Sequence, residues 1–293
     1  MILSSNQSSR PLFLYLLLVF AFSSVFYFLI ISGGALGGGH GLYVTGLMWC
    51  PGIAAMVTTL LSGRKISGLG WRWGQSKYQW RSYLTPLLYT VIAYIIIWAA
   101  GWGGFYNKEF VAGLAKSFGW SGLPDGAIIC FYLLIAGTIG MVRSMATALG
   151  EEIGWRGFLV PELYNRLGYT KTSLLTGCIW SVWHYPILLF ADYNSGTPAW
   201  YGLTCFTVMV ISISFVFTWF RMKSGSLWTG VVLHASHNLF IQSIFSPLTK
   251  DTGNTKYYID EFGIVLPVVC IFFAVWYWRK RKELVSVVAL SHT

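Results

Sequence analysis

Apolar runs of membrane-spanning length recur along the whole chain, and they constrain the fold more than any other feature. Eight can be drawn, at roughly 12–31, 42–62, 83–100, 127–149, 172–190, 201–220, 227–246 and 262–278. Each lies near the about 20 residues that carry an α-helix across a bilayer. Without water at that depth every backbone polar group must be satisfied internally, which admits only helices or a closed barrel. A barrel would show short segments of alternating polarity, and the chain has none. The fold class read from the sequence is therefore all-α: one polytopic membrane helix bundle of about eight transmembrane helices, a single integral membrane domain over residues 1–293. The first run follows Arg10 and outlasts the roughly 7–15 apolar residues of a secretion signal, so it reads as a retained helix.

Charge sets the orientation. Only 10% of residues are charged, against 55% hydrophobic, yet the net charge is +10. With the N-terminus in the cytoplasm, Arg10, the stretch Arg64 to Arg81, Arg156 to Lys171, Arg221 with Lys223, and Arg279 to Lys282 all fall on one side. The other side keeps only Lys108, Lys116, Lys250 and Lys256, and Arg143 sits within a run. The positive-inside rule then places both termini in the cytoplasm. The same asymmetry accounts for the basic character without a nucleic-acid partner, leaving the lipid bilayer as the first partner. Between the second and third runs, Trp71, Trp73, Tyr78 and Trp80 interleave with the basic residues, which suits an interfacial connector. The five cysteines stand singly, with no paired spacing that would frame a disulfide or a thiolate metal site. The loops 101–126 and 247–261 carry no evident chemistry.

Three polar stretches interrupt this apolar background. Glu151, Glu152 and Arg156 lie at the end of the fourth run, His184 in the fifth, and His234, His237 and Asn238 in the seventh. Ionisable groups at membrane depth are costly enough that function is their default reading. Residues four apart share a helix face, so Glu152 meets Arg156, and His234 projects with Asn238. Glu151 is turned by about 100° from Glu152, which separates their roles: an ion pair for Glu152, a polar cavity for Glu151. At about 1.5 Å per residue, Glu151, His184, His234 and Asn238 reach a common level if the fourth helix continues past Leu149 and is stopped by Pro161. Water would then enter from the basic side. Gly150, Gly154 and Gly157 would allow close packing there.

Glu-Glu-x-x-x-Arg at 151–156, Trp-x-x-x-His at 180–184 and His-x-x-x-Asn at 234–238 together resemble the three motifs of the CPBP family of intramembrane proteases. That family includes CAAX prenyl endopeptidases and the bacteriocin-processing or immunity proteins of the Abi type. The resemblance covers a core of about 127–246, and Trp180 stands where the family usually has Phe. It implies an intramembrane endopeptidase that hydrolyses a membrane-associated or lipid-modified protein from the cytoplasmic side of a bacterial cell membrane. Glu151 would be the base, His184 would help hold the water, and His234 and Asn238 would donate to the oxyanion. Glu152, Arg156, Trp180 and His237 would support them, and spacing alone leaves open which of His234 and His237 faces the cavity. Glu151, His184 and His234 could ligate Zn²⁺, while a glutamate-activated water would need no metal. Two other readings compete: a non-proteolytic immunity or scaffold protein that keeps the fold, and a proton-coupled transporter, for which inverted repeats are lacking.

Overall fold

The computed structural model describes residues 9–33 and 41–284, almost all of them helical. Most of the glycine-rich stretch after Gly33 lies outside the described residues. Three long helices come first, α1 (Arg10–Ser32), α2 (Gly41–Leu61) and α3 (Ser76–Ala99). A short α4 (Lys108–Phe118) is followed by α5 (Asp125–Ile135), α6 (Met141–Glu152) and α7 (Val160–Phe190), joined by π-helical turns at Ala136–Gly140 and Ile153–Leu159. Then come α8 (Ala199–Ser224), α9 (Trp228–Asn238), a π-helical Leu239–Phe245, the single turn α10 (Ser246–Leu248) and α11 (Val265–Arg279). Among the described residues, five helical stretches are long and apolar enough to cross a membrane: α1, α2, α3, α8 and the 66-residue run Asp125–Phe190. The apolar α11 is shorter.

The 66-residue run makes two passes. Gly168 adopts φ 69°, ψ −179° inside α7, a conformation open to glycine because it has no Cβ. The chain reverses there, and Trp180 on the second limb hydrogen-bonds back to Glu151 on the first. The turn is not at Pro161, where the sequence pointed. Proline lacks an N–H and crowds the carbonyl four residues back. Here the widened π-helical Ile153–Leu159 immediately precedes it, and such a bulge relieves both problems. The helix therefore continues past Leu149 through Glu151, as the depth argument requires, and stops at Gly168, about two turns beyond Pro161.

Glycine decides how closely α2 approaches α6. A Cβ on Gly154 would lie 2.5 Å from Pro51 Cβ, and one on Gly150 would lie 2.7 Å from the Trp49 Cα. Across the same seam a Cβ on Gly52 would meet the Gly150 carbonyl at 2.5 Å. Backbones packed this tightly leave Glu151 and Glu152 no freedom to swing out towards lipid. Gly177 plays the same part between α7 and α8, where its Cβ would sit 2.7 Å from the Ile211 Cα.

The loops carry structure of their own. The aromatic connector docks onto the α8–α9 turn: Leu227 N–H donates to Gly70 O at 2.9 Å and Trp228 Nε1 to Trp71 O at 2.8 Å. Residues 101–126 contain α4, whose first N–H groups are capped by Asn107 Oδ1 and whose end is marked by left-handed Gly119. A two-stranded ribbon pairs Gly104–Phe105 with Thr249–Lys250. Of the cysteines, Cys50, Cys205 and Cys270 are buried and Cys130 and Cys178 exposed.

Candidate active site

Glu151 and Glu152 end α6 where the helix widens, and neighbouring positions send them in different directions. Glu151 is only 2% exposed, and its Oε2 accepts two indole N–H groups, from Trp180 at 2.8 Å and Trp155 at 3.2 Å. Trp155 is its i+4 neighbour, a partner that helical spacing could have revealed. Trp180, which stands where the resembled family usually has Phe, supplies an N–H donor that phenylalanine lacks. Oε1 has no hydrogen-bond partner among the described residues, and Glu151 borders a cavity of about 410 Å³.

Glu152 is fully buried and faces the other way. Its Oε1 accepts from Arg156 Nη1 at 2.8 Å and from His234 Nδ1 at 2.9 Å. The guanidinium lies 3.7 Å from the Phe217 ring centroid and 4.3 Å from that of Trp180. Cation–π contacts of this kind contribute about 0.5–2 kcal/mol each. Arg221 Nε closes the layer by donating to Arg156 O at 2.7 Å. Glu152 therefore forms the ion pair read from its spacing, and it also orients a histidine, a role the sequence did not disclose.

The two histidines are each fixed at one nitrogen and free at the other. His184 Nδ1 lies 2.9 Å from Trp180 O. A carbonyl only accepts, so Nδ1 carries the proton and Nε2 offers a lone pair. His234 donates Nδ1–H to a carboxylate, so its Nε2 can donate as well only as imidazolium. Neither Nε2 has a partner among the described residues, nor has the Asn238 side chain. His237 is different: Nδ1 meets Tyr89 OH at 2.6 Å and Nε2 meets Glu261 Oε1 at 2.9 Å. Both its nitrogens are engaged, which leaves His234 as the histidine of α9 with a ring nitrogen to offer.

One carboxylate in the cavity wall escaped the sequence reading. Glu261, in the loop before α11, accepts from His237 through Oε1, and from Tyr193 OH and Gln242 Nε2 through Oε2, both at 3.1 Å. Its one sequence signal was an acidic pair, Asp260-Glu261, set directly against an apolar run.

The cavity brings together Glu151, His184, His234 and Asn238, with His237 and Glu261 on its wall. Opposite them stand apolar side chains of α2 and α8, among them Leu47, Met48, Phe206 and Ile213. Its lining extends to Gly41, Tyr193 and Glu261, at the end of the bundle remote from the basic loops. At the basic end, Arg156, Arg221, Gly70 and Trp228 pack against one another instead. As donors to a metal, two imidazole Nε2 atoms and a carboxylate are right in kind. Among the described residues, however, no three His, Cys, Asp or Glu side chains are arranged to hold an ion.

Residues 133–240 match the family described as Type II CAAX prenyl endopeptidase Rce1-like. The chain is 28% identical over 189 residues to CAAX prenyl protease 2 of Methanococcus maripaludis, covering 62% of this chain and 60% of that protein. It is also 28% identical over 168 residues to the uncharacterized protein YyaK of Bacillus subtilis, covering 52% of this chain and 51% of that one. The chain thus spans little more than half the length of these relatives. The matched interval contains all three polar motifs.

Proposed function

We propose, from the likeness of residues 133–240 to the Type II CAAX prenyl endopeptidase family and of the chain to CAAX prenyl protease 2, that this is a CPBP-family intramembrane endopeptidase that hydrolyses a peptide bond with a water activated by Glu151. The observation that carries this reading is a set of polar atoms around one cavity that have no partner among the described residues: Glu151 Oε1, His184 Nε2, His234 Nε2 and the Asn238 amide.

Those atoms divide into acceptors and donors. A water between Glu151 Oε1 and His184 Nε2 gives a proton to each hydrogen bond and turns a lone pair to the substrate carbonyl. As its oxygen bonds to the carbonyl carbon, one proton passes to Glu151. The resulting oxyanion is met by N–H donors from Asn238 and, in its imidazolium form, His234. When the C–N bond breaks, the Glu151 carboxyl returns that proton to the leaving amine. A carboxylic acid and an amine are released, and the acid's proton passes to the amine to give a carboxylate and an ammonium.

Charge balance supports the assignment. Glu151 and Glu152 contribute two negative charges, and Arg156 with His234 imidazolium contribute two positive ones. These four charges balance one another, and the further buried cation Arg221 is held by the Arg156 carbonyl, which limits the cost of burying ions. Glu152 serves as counter-ion to the oxyanion histidine, and Glu151 stays available to water.

The substrate class is a membrane-associated or lipid-modified protein, since the cavity lies within the bundle and has an apolar wall for a neighbouring side chain or hydrocarbon. The test compares membrane proteomes of cells carrying the wild type and Glu151→Gln. A protein whose fragments vanish with the variant identifies the substrate, and identical proteomes together with unchanged turnover by the purified variant sink the proposal. A scaffold or immunity protein that keeps the fold would show no such fragment while still retaining a partner.

A further inference from the structure

A second feature lies at the basic end of the bundle, away from the cavity. A groove of about 310 Å³ runs between α3 and α11, lined by Arg81, Leu84, Thr85 and Leu88 on one side and by Tyr277 and Lys280 on the other. Tyr277 OH and Thr85 Oγ1 are 3.2 Å apart and join the two walls. Arg81 and Lys280 converge on the mouth, and among the described residues neither forms an ion pair; the arginine and lysine pairs that do form use Arg64, Arg156, Arg166 and Lys223. Below the mouth, Leu84 and Leu88 sit one turn apart, 50% and 48% exposed.

A mouth with two unneutralised cations above a leucine-lined shaft has the polarity of an anionic lipid turned inside out. We propose that this groove binds an anionic phospholipid, its phosphate between Arg81 and Lys280 and an acyl chain along Leu84 and Leu88. Juxtamembrane basic residues favour anionic lipids in this way. The aromatic faces argue against a choline headgroup. Lys280 Nζ already covers Trp276 at 4.5 Å, Tyr277 at 5.6 Å and Trp219 at 5.7 Å from the ring centroids, leaving no cage for a second ammonium. A lipid held here ties α3 to α11 above the point where Tyr89 meets Phe273, with ring centroids 5.5 Å apart. Tyr89 is the residue that holds His237, so the groove braces the scaffold of the cavity wall.

Binding in the groove is independent of turnover at Glu151, and it is tested without activity. The full chain, purified in detergent, is offered phosphatidylglycerol and phosphatidylcholine with identical chains, and retained lipid is measured by native mass spectrometry. Phosphatidylglycerol should be retained in preference. Arg81→Gln with Lys280→Gln should lower that retention roughly thirtyfold, at about fivefold for each cation. Arg72→Gln with Lys77→Gln, an equal charge change at exposed positions on the same end, should retain it within about threefold of wild type. If the double groove variant folds poorly, Arg81→Gln alone should still show about a fivefold loss. Excess inorganic phosphate should not displace the lipid, because it cannot fill the leucine shaft. Equal retention of both lipids, an equal loss in the control pair, or displacement by phosphate would each overturn the proposal.

Discussion

Trp180→Phe isolates a single hydrogen bond in the site. Phenylalanine keeps an aromatic ring against His234, whose ring centroid lies 5.3 Å from that of Trp180, and against the Arg156 guanidinium. It removes only the N–H that donates to Glu151 Oε2 at 2.8 Å. A hydrogen bond to a charged group contributes about 1.5–3 kcal/mol. Trp155 remains as a second donor at 3.2 Å, and the cavity lets water approach, so the lower end applies. About 1.5 kcal/mol corresponds to roughly tenfold in rate if it is expressed in the transition state. The expected result is a kcat about tenfold lower with KM little changed, because Oε1 is no longer held towards the water while the apolar wall is untouched. Initial rates of cleavage of the substrate found by proteomics, with purified wild type and variant in the same lipid, give both constants. Unchanged kcat would mean that Trp155 alone orients the carboxylate. A tenfold rise in KM with constant kcat would mean that Trp180 serves substrate binding, and the positioning argument would fail.

Other perturbations separate the remaining roles. Glu152→Gln leaves Arg156 and His234 without a carboxylate in a fully buried layer and should destabilise the fold by about 3–5 kcal/mol, read by thermal unfolding; a variant as stable as wild type but inactive would reverse the division between the two glutamates. Gly154→Leu should prevent folding, since even a Cβ would lie 2.5 Å from Pro51, and a normally stable variant would refute the packing given for α2 and α6. Burial beside Glu261 pushes the half-buried Asp260 up to about 7, so its ionisation costs stability as pH rises from the unfolded carboxyl range through that value. Asp260→Asn, tolerated at its φ of 64°, should therefore raise the melting temperature at pH 8 and leave it unchanged below pH 4; equal effects at both pH values would contradict the assignment. Reporter fusions after residues 70 and 224 should report cytoplasm, and fusions after 115, 195 and 253 the outside.

Legibility followed the physics of each feature. Long apolar runs gave the helical bundle, because a bilayer leaves the backbone few choices. Helical spacing gave Glu152–Arg156, a contact within one helix. What spacing could not give were contacts between elements distant in the chain. His234 on Glu152 spans 82 residues, and Trp180 on Glu151 spans 29. Neither follows from a single helix. The chain reversal was misplaced for a different reason: proline was read as a stop by its local cost, but a π-helical turn absorbed that cost and glycine made the turn. Glu261 was missed because a loop carboxylate looks solvent-exposed until its partners His237, Tyr193 and Gln242 are known.

The direction of the cavity bears on which proteins can be cut. Tyr193 and Glu261, which line it, lie in the loops 191–198 and 251–264, and Gly41 begins α2 at the same end. The opposite end is filled by the Arg156–Arg221 layer and by Trp228 resting on the connector. If fusions after 195 and 253 report the outside, the polar wall of the site continues away from the cytoplasm, although the charge pattern had suggested entry from the basic side. With the exposed Cys130 and Cys178 first replaced by serine, single reactive cysteines separate the routes. Ser195→Cys and Ser67→Cys are placed at the two ends, and each is loaded with a bulky maleimide before cleavage is measured. Blocking at 195 should slow turnover and blocking at 67 should not, if substrate enters where the cavity lining ends. The reverse pattern would place the entrance at the basic end and require the Arg156–Arg221 layer to open during each cycle.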